Sequence, residues 1–268
     1  MNYDKMLSYH KKSGADCTIA VIDVPIEEAS RFGIMSVDDE GRIFKFAEKP
    51  KNPDSTKASM GIYIFSKECL FKYLIEDAAD PNSSNDFGKN IIPAMLANGE
   101  KLCAYSFSGY WKDVGTIASL WEANMDLLGA EPALNIMDES WRIFSRHDAH
   151  APQYVGSDAV IDNSSVTEGC EIYGTVRNSV LGSGVKVMPG AVVIDSVIMD
   201  DCIIEEGACV EYSILDSKVT VGQNTKVGKC RSEAKGITVV GTGIAIPDGI
   251  VIADDRMISN SSDINKEA

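Results

Sequence analysis

The chain has 268 residues, 44% of them apolar, and 25 basic against 40 acidic side chains give a formal charge of −15 at pH 7. That apolar content fills one large core or two smaller ones. The acidic excess excludes the broad attraction to nucleic acid or anionic membrane that a basic surface supplies, so any phosphate site must be local, built from one or two placed cations.

No apolar run reaches the roughly 20 residues of a membrane-spanning helix. The opening MNYDKMLSYHKK lacks the apolar middle of a signal peptide. Seven cysteines without a C-x-x-C pair fit a reducing compartment, and a cytoplasmic location is expected. His10, His147 and His150 do not combine with the cysteines at zinc-ligand spacing.

In chain order, residues 2–12 predict a helix that Ser13-Gly14 stops. Thr18 to Val24 (TIAVIDV) is a β-branched run of the kind covered on both faces in a parallel sheet. Gly33–Val37 and Gly41–Phe46 form a predicted hairpin around Asp38-Asp39-Glu40-Gly41, and Ser59–Phe65 is a further strand. Gly61 within that strand either lets another backbone or a ligand approach closely or serves packing. Helices are predicted over 68–76, 87–96 (with Asp86 at the N-cap position) and 116–128, and a strand over 102–107.

Two places could carry chemistry. Glu48 and Lys49, with Ser59 beyond the loop, combine a compact phosphate-binding cation with groups that bond to sugar hydroxyls, although the same residues also read as a solvated turn. Asp113, in GYWKDVG, falls between a strand end and a helix start, where open α/β sheets gather ligand contacts. It reads either as a helix cap or as a carboxylate for magnesium bridging to phosphate oxygens.

Residues 129–152 lose periodicity and read as a connector between a first domain, 1–128, and a second, 153–268. The second domain repeats. Leu181, Ile198 and Leu215 recur every 17 residues, as do Val187, Ile204 and Val221, and Val193, Val210 and Val227. Each unit divides into segments of six, six and five, and small residues recur at Val185, Ala191, Cys202, Ala208, Val219 and Thr225. This pattern predicts a triangular parallel β-helix with the aliphatic residues stacked inward. Such coils serve as scaffolds for acyltransferase grooves or for subunit packing. No histidine lies between Ala151 and Ala268, which counts against an acyltransferase.

With RFGIM (31–35), FAEKP (46–50), ASMGIYIF (58–65), SSNDFGKNIIP (83–93) and YWKDVGTIASLWEANMDLL (110–128), the chain resembles the bacterial ADP-glucose pyrophosphorylases, or glucose-1-phosphate adenylyltransferases. The resemblance implies a partial nucleotidyltransferase (Rossmann-like) α/β domain followed by a left-handed parallel β-helix of hexapeptide-type repeats. It implies formation of ADP-glucose and pyrophosphate from ATP and glucose 1-phosphate with Mg2+, for glycogen synthesis, in an oligomer that is usually a tetramer. By the same resemblance Lys49 binds the sugar phosphate, Glu48 and Ser59 contact the glucose, Gly33 lets its backbone approach the sugar nucleotide, and Asp113 is a catalytic metal ligand.

Family members open with G-G-x-G-x-R-L and carry a G-D-H motif; neither is present, and NYDKML at 2–7 corresponds to the helix after G-D-H. The expectation is therefore an N-terminally truncated form that keeps the sugar-phosphate half of the site and does not turn over alone. A second expectation follows, that Thr18–Val24 exposes an apolar edge and face. The alternative reading is a non-catalytic subunit that assembles with a full-length partner through its β-helix.

Overall fold

The computed structural model describes residues 1–144 and 149–266. His147 lies outside the described residues. The chain forms two compact units, Met1–Gly109 and Tyr110–Ala268.

In the first unit, helix α1 (Tyr3–Ser13) starts where the Asn2 side chain accepts the Asp4 N–H and ends at Gly14 in the left-handed conformation. The strands are β1 (Cys17–Asp23), β2 (Gly33–Val37), β3 (Ile43–Glu48), β4 (Lys57–Phe65) and β5 (Leu102–Ser106). Among the described residues they form one five-stranded sheet in the order β3-β2-β4-β1-β5, antiparallel except for the parallel β1–β5 pair. Helices α2 (Lys67–Ala79) and α3 (Ile92–Ala97) make the crossover between β4 and β5. Tyr73, Ile92 and Met95 from these helices pack on Cys17, Ile19, Met35, Ile43 and Leu102 of the sheet. Each fully buried large side chain in that layer contributes about 1.5–3 kcal/mol.

The expected open edge at Thr18–Val24 is not found. β1 is an interior strand, held between β4 and β5, and Cys17 to Val21 are buried. The far edge is covered as well, because the β2–β3 hairpin curls round the sheet. Gly41 O accepts the Ala104 N–H of β5 at 2.9 Å, and Arg42 bridges Cys103. Gly41 has φ +79°, and a Cβ there would lie 3.0 Å from the Tyr9 hydroxyl, so only glycine allows this approach.

The second unit is a parallel β-solenoid. Its strands run from Tyr154–Val155 to Met257–Ile258 in three parallel sheets of six among the described residues. The nine aliphatic positions of the repeat are buried in one core, together with Val185, Ala191, Cys202, Ala208 and Val219. One corner is closed by stacked serines: the Ser179, Ser196 and Ser213 N–H groups donate to Ser164, Ser179 and Ser196 Oγ at 3.2, 3.1 and 3.2 Å. The residues before them, Asn163, Asn178, Asp195 and Tyr212, all have positive φ, which turns the chain at that corner. The largest change of register is from 17 residues per coil to 25, where 229–236 loop out before Thr238 pairs with Ser213.

The stretch 110–128 packs within the compact unit Tyr110–Ala268. Helix α4 (Ile117–Met125) buries Trp121 against Val197 and Ile214 of the solenoid. The seven cysteines are free, and four of them are buried as small apolar side chains. Among the described residues, no helix is long and apolar enough to cross a membrane.

Candidate functional site

The site forms where β3 ends. Gly33 and Glu48 are paired across the β2–β3 ladder, and Ser59 lies on β4, the next strand after β2. Glu48 is half-buried, and its carboxylate makes no hydrogen bond or ion pair with the described residues. Two glycines clear space for it. A Cβ on Gly33 would sit 2.8 Å from Glu48 Oε2 and 2.7 Å from the Phe46 ring, and one on Gly88 would sit 2.6 Å from Glu48 Oε2.

Lys49 follows in the left-handed conformation, φ +48°, while its N–H still donates to Phe32 O at 3.0 Å. For a side-chain-bearing residue this costs on the order of 1 kcal/mol, the kind of local strain that concentrates at functional positions. The lysine is exposed and forms no ion pair among the described residues.

Three residues outside the expected set complete the cluster. On β4, Tyr63 pairs with Ile19 and Ser59 with Val21 across a bulge that contains Gly61, which brings the two side chains to the same face. Burial pushes its phenol up against the lowering hydrogen bond of Ser59, and the Glu48 and Asp86 carboxylates push it further. Its ring stacks on Phe87 with centroids 5.6 Å apart. Asp86 takes the expected cap position, accepting the Lys89 N–H at 2.8 Å, but the turn it opens at Phe87–Ile91 is a π-helix before α3. Such turns mark functional positions more often than chance. The strand holding Ser59 and Tyr63 was visible in the sequence, whereas nothing there showed its bulge at Gly61 or put 86–88 beside Glu48. Gly61 has φ +68°, a conformation that favours glycine, with open space around its missing side chain and no packing contact there among the described residues.

Asp113 is in the second unit, half-buried in the loop before α4. It does not cap that helix; Thr116 does, accepting the Ser119 N–H at 3.1 Å. Lys112 bonds to Asp126 at 3.0 Å and Glu122 at 3.1 Å, and the Tyr110 hydroxyl donates to Asp126 at 3.0 Å, so the loop is tied down on both sides of Trp111. One such carboxylate is a fitting magnesium ligand, since that ion takes one or two protein oxygens and fills its sphere with phosphate and water. A separate group, Asp16, Cys69 and Glu100, has ligand atoms within 4.8 Å of one another. Its carboxylates already accept from the Lys101 N–H, Tyr73 and Lys72.

The nucleotidyl transferase family matches residues 1–129, and the GlmU-like C-terminal hexapeptide family matches 151–247. The second match identifies the solenoid as a left-handed β-helix. Proteins named glucose-1-phosphate adenylyltransferase are similar over most of the chain. That of Acetivibrio thermocellus is 47% identical over 96% of the chain and 63% of its own length. That of Clostridium perfringens is 58% identical over 76% and 53%, and that of Bacillus cereus 51% over 84% and 60%. The chain thus spans between about half and two thirds of the length of these relatives.

Proposed function

We propose that this chain, which belongs to the glucose-1-phosphate adenylyltransferase family, carries the sugar-phosphate site for the conversion of ATP and glucose 1-phosphate to ADP-glucose and pyrophosphate. The observation that supports it is the half-buried Glu48 carboxylate, which has no hydrogen bond or ion pair among the described residues, is cleared by two glycines and is followed by Lys49 in a strained turn. Lys49 holds the phosphate, Glu48 accepts from glucose hydroxyls, and Ser59 adds a donor and acceptor. Gly33 leaves room for the sugar.

In the reaction, a phosphate oxygen of glucose 1-phosphate attacks the α-phosphorus of ATP. The new P–O bond forms as the bond to the bridging oxygen breaks, and pyrophosphate leaves with that electron pair. The protein's share is positioning and charge neutralisation. Magnesium held by Asp113 would screen charge between the phosphates. Retention of manganese, read by electron paramagnetic resonance, should fall in Asp113→Asn; equal retention overturns that role.

Calorimetry tests the site. Glucose 1-phosphate should bind the chain, and Lys49→Ala should weaken it roughly tenfold to a hundredfold, the worth of a charge-assisted bond. Equal affinity of the two proteins overturns the reading. The 268 residues contain neither G-G-x-G-x-R-L nor G-D-H, and a polypeptide of this sequence is expected to release no pyrophosphate by itself; turnover in a coupled assay counts against that. A cytoplasmic location and self-association, a tetramer by resemblance, belong to the same reading, the latter measured by light scattering.

A further inference from the structure

We infer that Gly88 is a positioning residue, which sets the place of the Glu48 carboxylate by having no side chain. This rests on Glu48 being the sugar contact, as proposed above. Gly88 is buried in the turn after Asp86, and a Cβ there would lie 2.6 Å from Glu48 Oε2 and 3.1 Å from Glu48 Cδ. Real carbon atoms do not approach an oxygen so closely, so an alanine displaces the carboxylate.

The neighbour that must yield decides the consequence. At Gly88 the contacts under 3.4 Å are with the far end of one flexible side chain, whereas at Gly33 the Phe46 ring is met as well. Gly88 also lies outside the left-handed region, so alanine costs its backbone nothing, and within a helical turn alanine is favoured over glycine. Gly88→Ala is therefore expected to leave the fold intact and move Glu48. A glycine kept for structure alone would give the opposite pair of results.

The experiment compares wild type, Gly88→Ala, Glu48→Ala and the double variant. The Glu48 carboxyl carbon resonance, assigned from Glu48→Gln, reports the position of the group without ligand; calorimetry with glucose 1-phosphate, and with inorganic phosphate, reports its use. Gly88→Ala should shift the resonance, hold the unfolding midpoint and weaken glucose 1-phosphate binding roughly tenfold or more. Phosphate binding should stay the same, and the double variant should bind no worse than Glu48→Ala, because the clash is with Glu48 alone.

An unmoved resonance, or full additivity of the two substitutions, overturns the inference. Absence of glucose 1-phosphate binding to wild type overturns the sugar-phosphate reading instead, and the carboxyl resonance then decides the positioning claim. If Gly88→Ala does not fold, recovery of the folded state in Gly88→Ala/Glu48→Ala upholds the carboxylate as the clashing group; its failure overturns the claim.

Discussion

Trp121 Nε1 donates to the carbonyl of Asp195, 74 residues along the chain, at 2.7 Å. The ring lies edge-on to Tyr212 and under the Arg231 guanidinium, whose carbon is 4.6 Å from its centroid. This side chain attaches helix α4, and so the segment that follows the Asp113 loop, to the solenoid. Trp121→Ala should lower the stability of the second unit by about 3–5 kcal/mol, as loss of a buried aromatic does. Thermal unfolding followed by circular dichroism measures it; a shift within error would remove Trp121 as the anchor.

The serine corner makes a smaller prediction. Ser196 Oγ accepts the Ser213 N–H at 3.2 Å and donates to Ile194 O at 2.7 Å, in a buried setting. Ser196→Ala leaves that N–H without its acceptor and should cost about 1–3 kcal/mol. Amide exchange at Ser213 should quicken with it. Unchanged protection there would show that the hydroxyl is not needed.

Lys49 should show opposite effects on stability and binding. Its φ of +48° strains a lysine and suits a glycine. Lys49→Gly is expected to raise the stability of the first unit by up to about 1 kcal/mol while weakening glucose 1-phosphate binding. Chemical denaturation beside calorimetry reads both; a variant that loses stability would refute the strain.

His10 predicts a pH dependence. It is buried, and its Nδ1 is 2.8 Å from Thr18 Oγ1. Burial lowers the imidazole below its ordinary 6.5, against a raising pull from Asp16. The unfolded chain then binds the proton more readily than the folded one. The stability due to the neutral ring is present above about pH 6.5 and lost as pH falls through that value toward the lower folded pKa. The urea midpoint should drop between pH 7.5 and 5.5, and His10→Asn, which keeps a partner for Thr18, should flatten that drop. An equal slope in both proteins would assign the effect elsewhere.

Local chemistry made much of this molecule legible. Helix and strand positions in the first unit follow from caps and apolar periods, and Asp86 caps the turn its spacing predicts. The solenoid was clearer still, since Leu181, Ile198 and Leu215 can recur at 17 residues only if each coil buries the same point. Long-range pairing was not legible. The apolar run at 18–24 states that both its faces are covered, but not that β4 and β5 flank it or that Gly41 folds onto Ala104.

The site divides along the same line. Residue type and order along the chain marked Glu48 and Lys49 as candidates for a sugar phosphate, with a solvated turn as the alternative, and the repeat determined the scaffold. Tertiary structure alone decided that Gly88 and Asp86, about forty residues on, stand beside Glu48, and that Trp121 carries 110–128 to the second unit. The reason is physical: periodicity records how much water each side chain loses, while the identity of the neighbour that displaces the water is set only when distant segments pack.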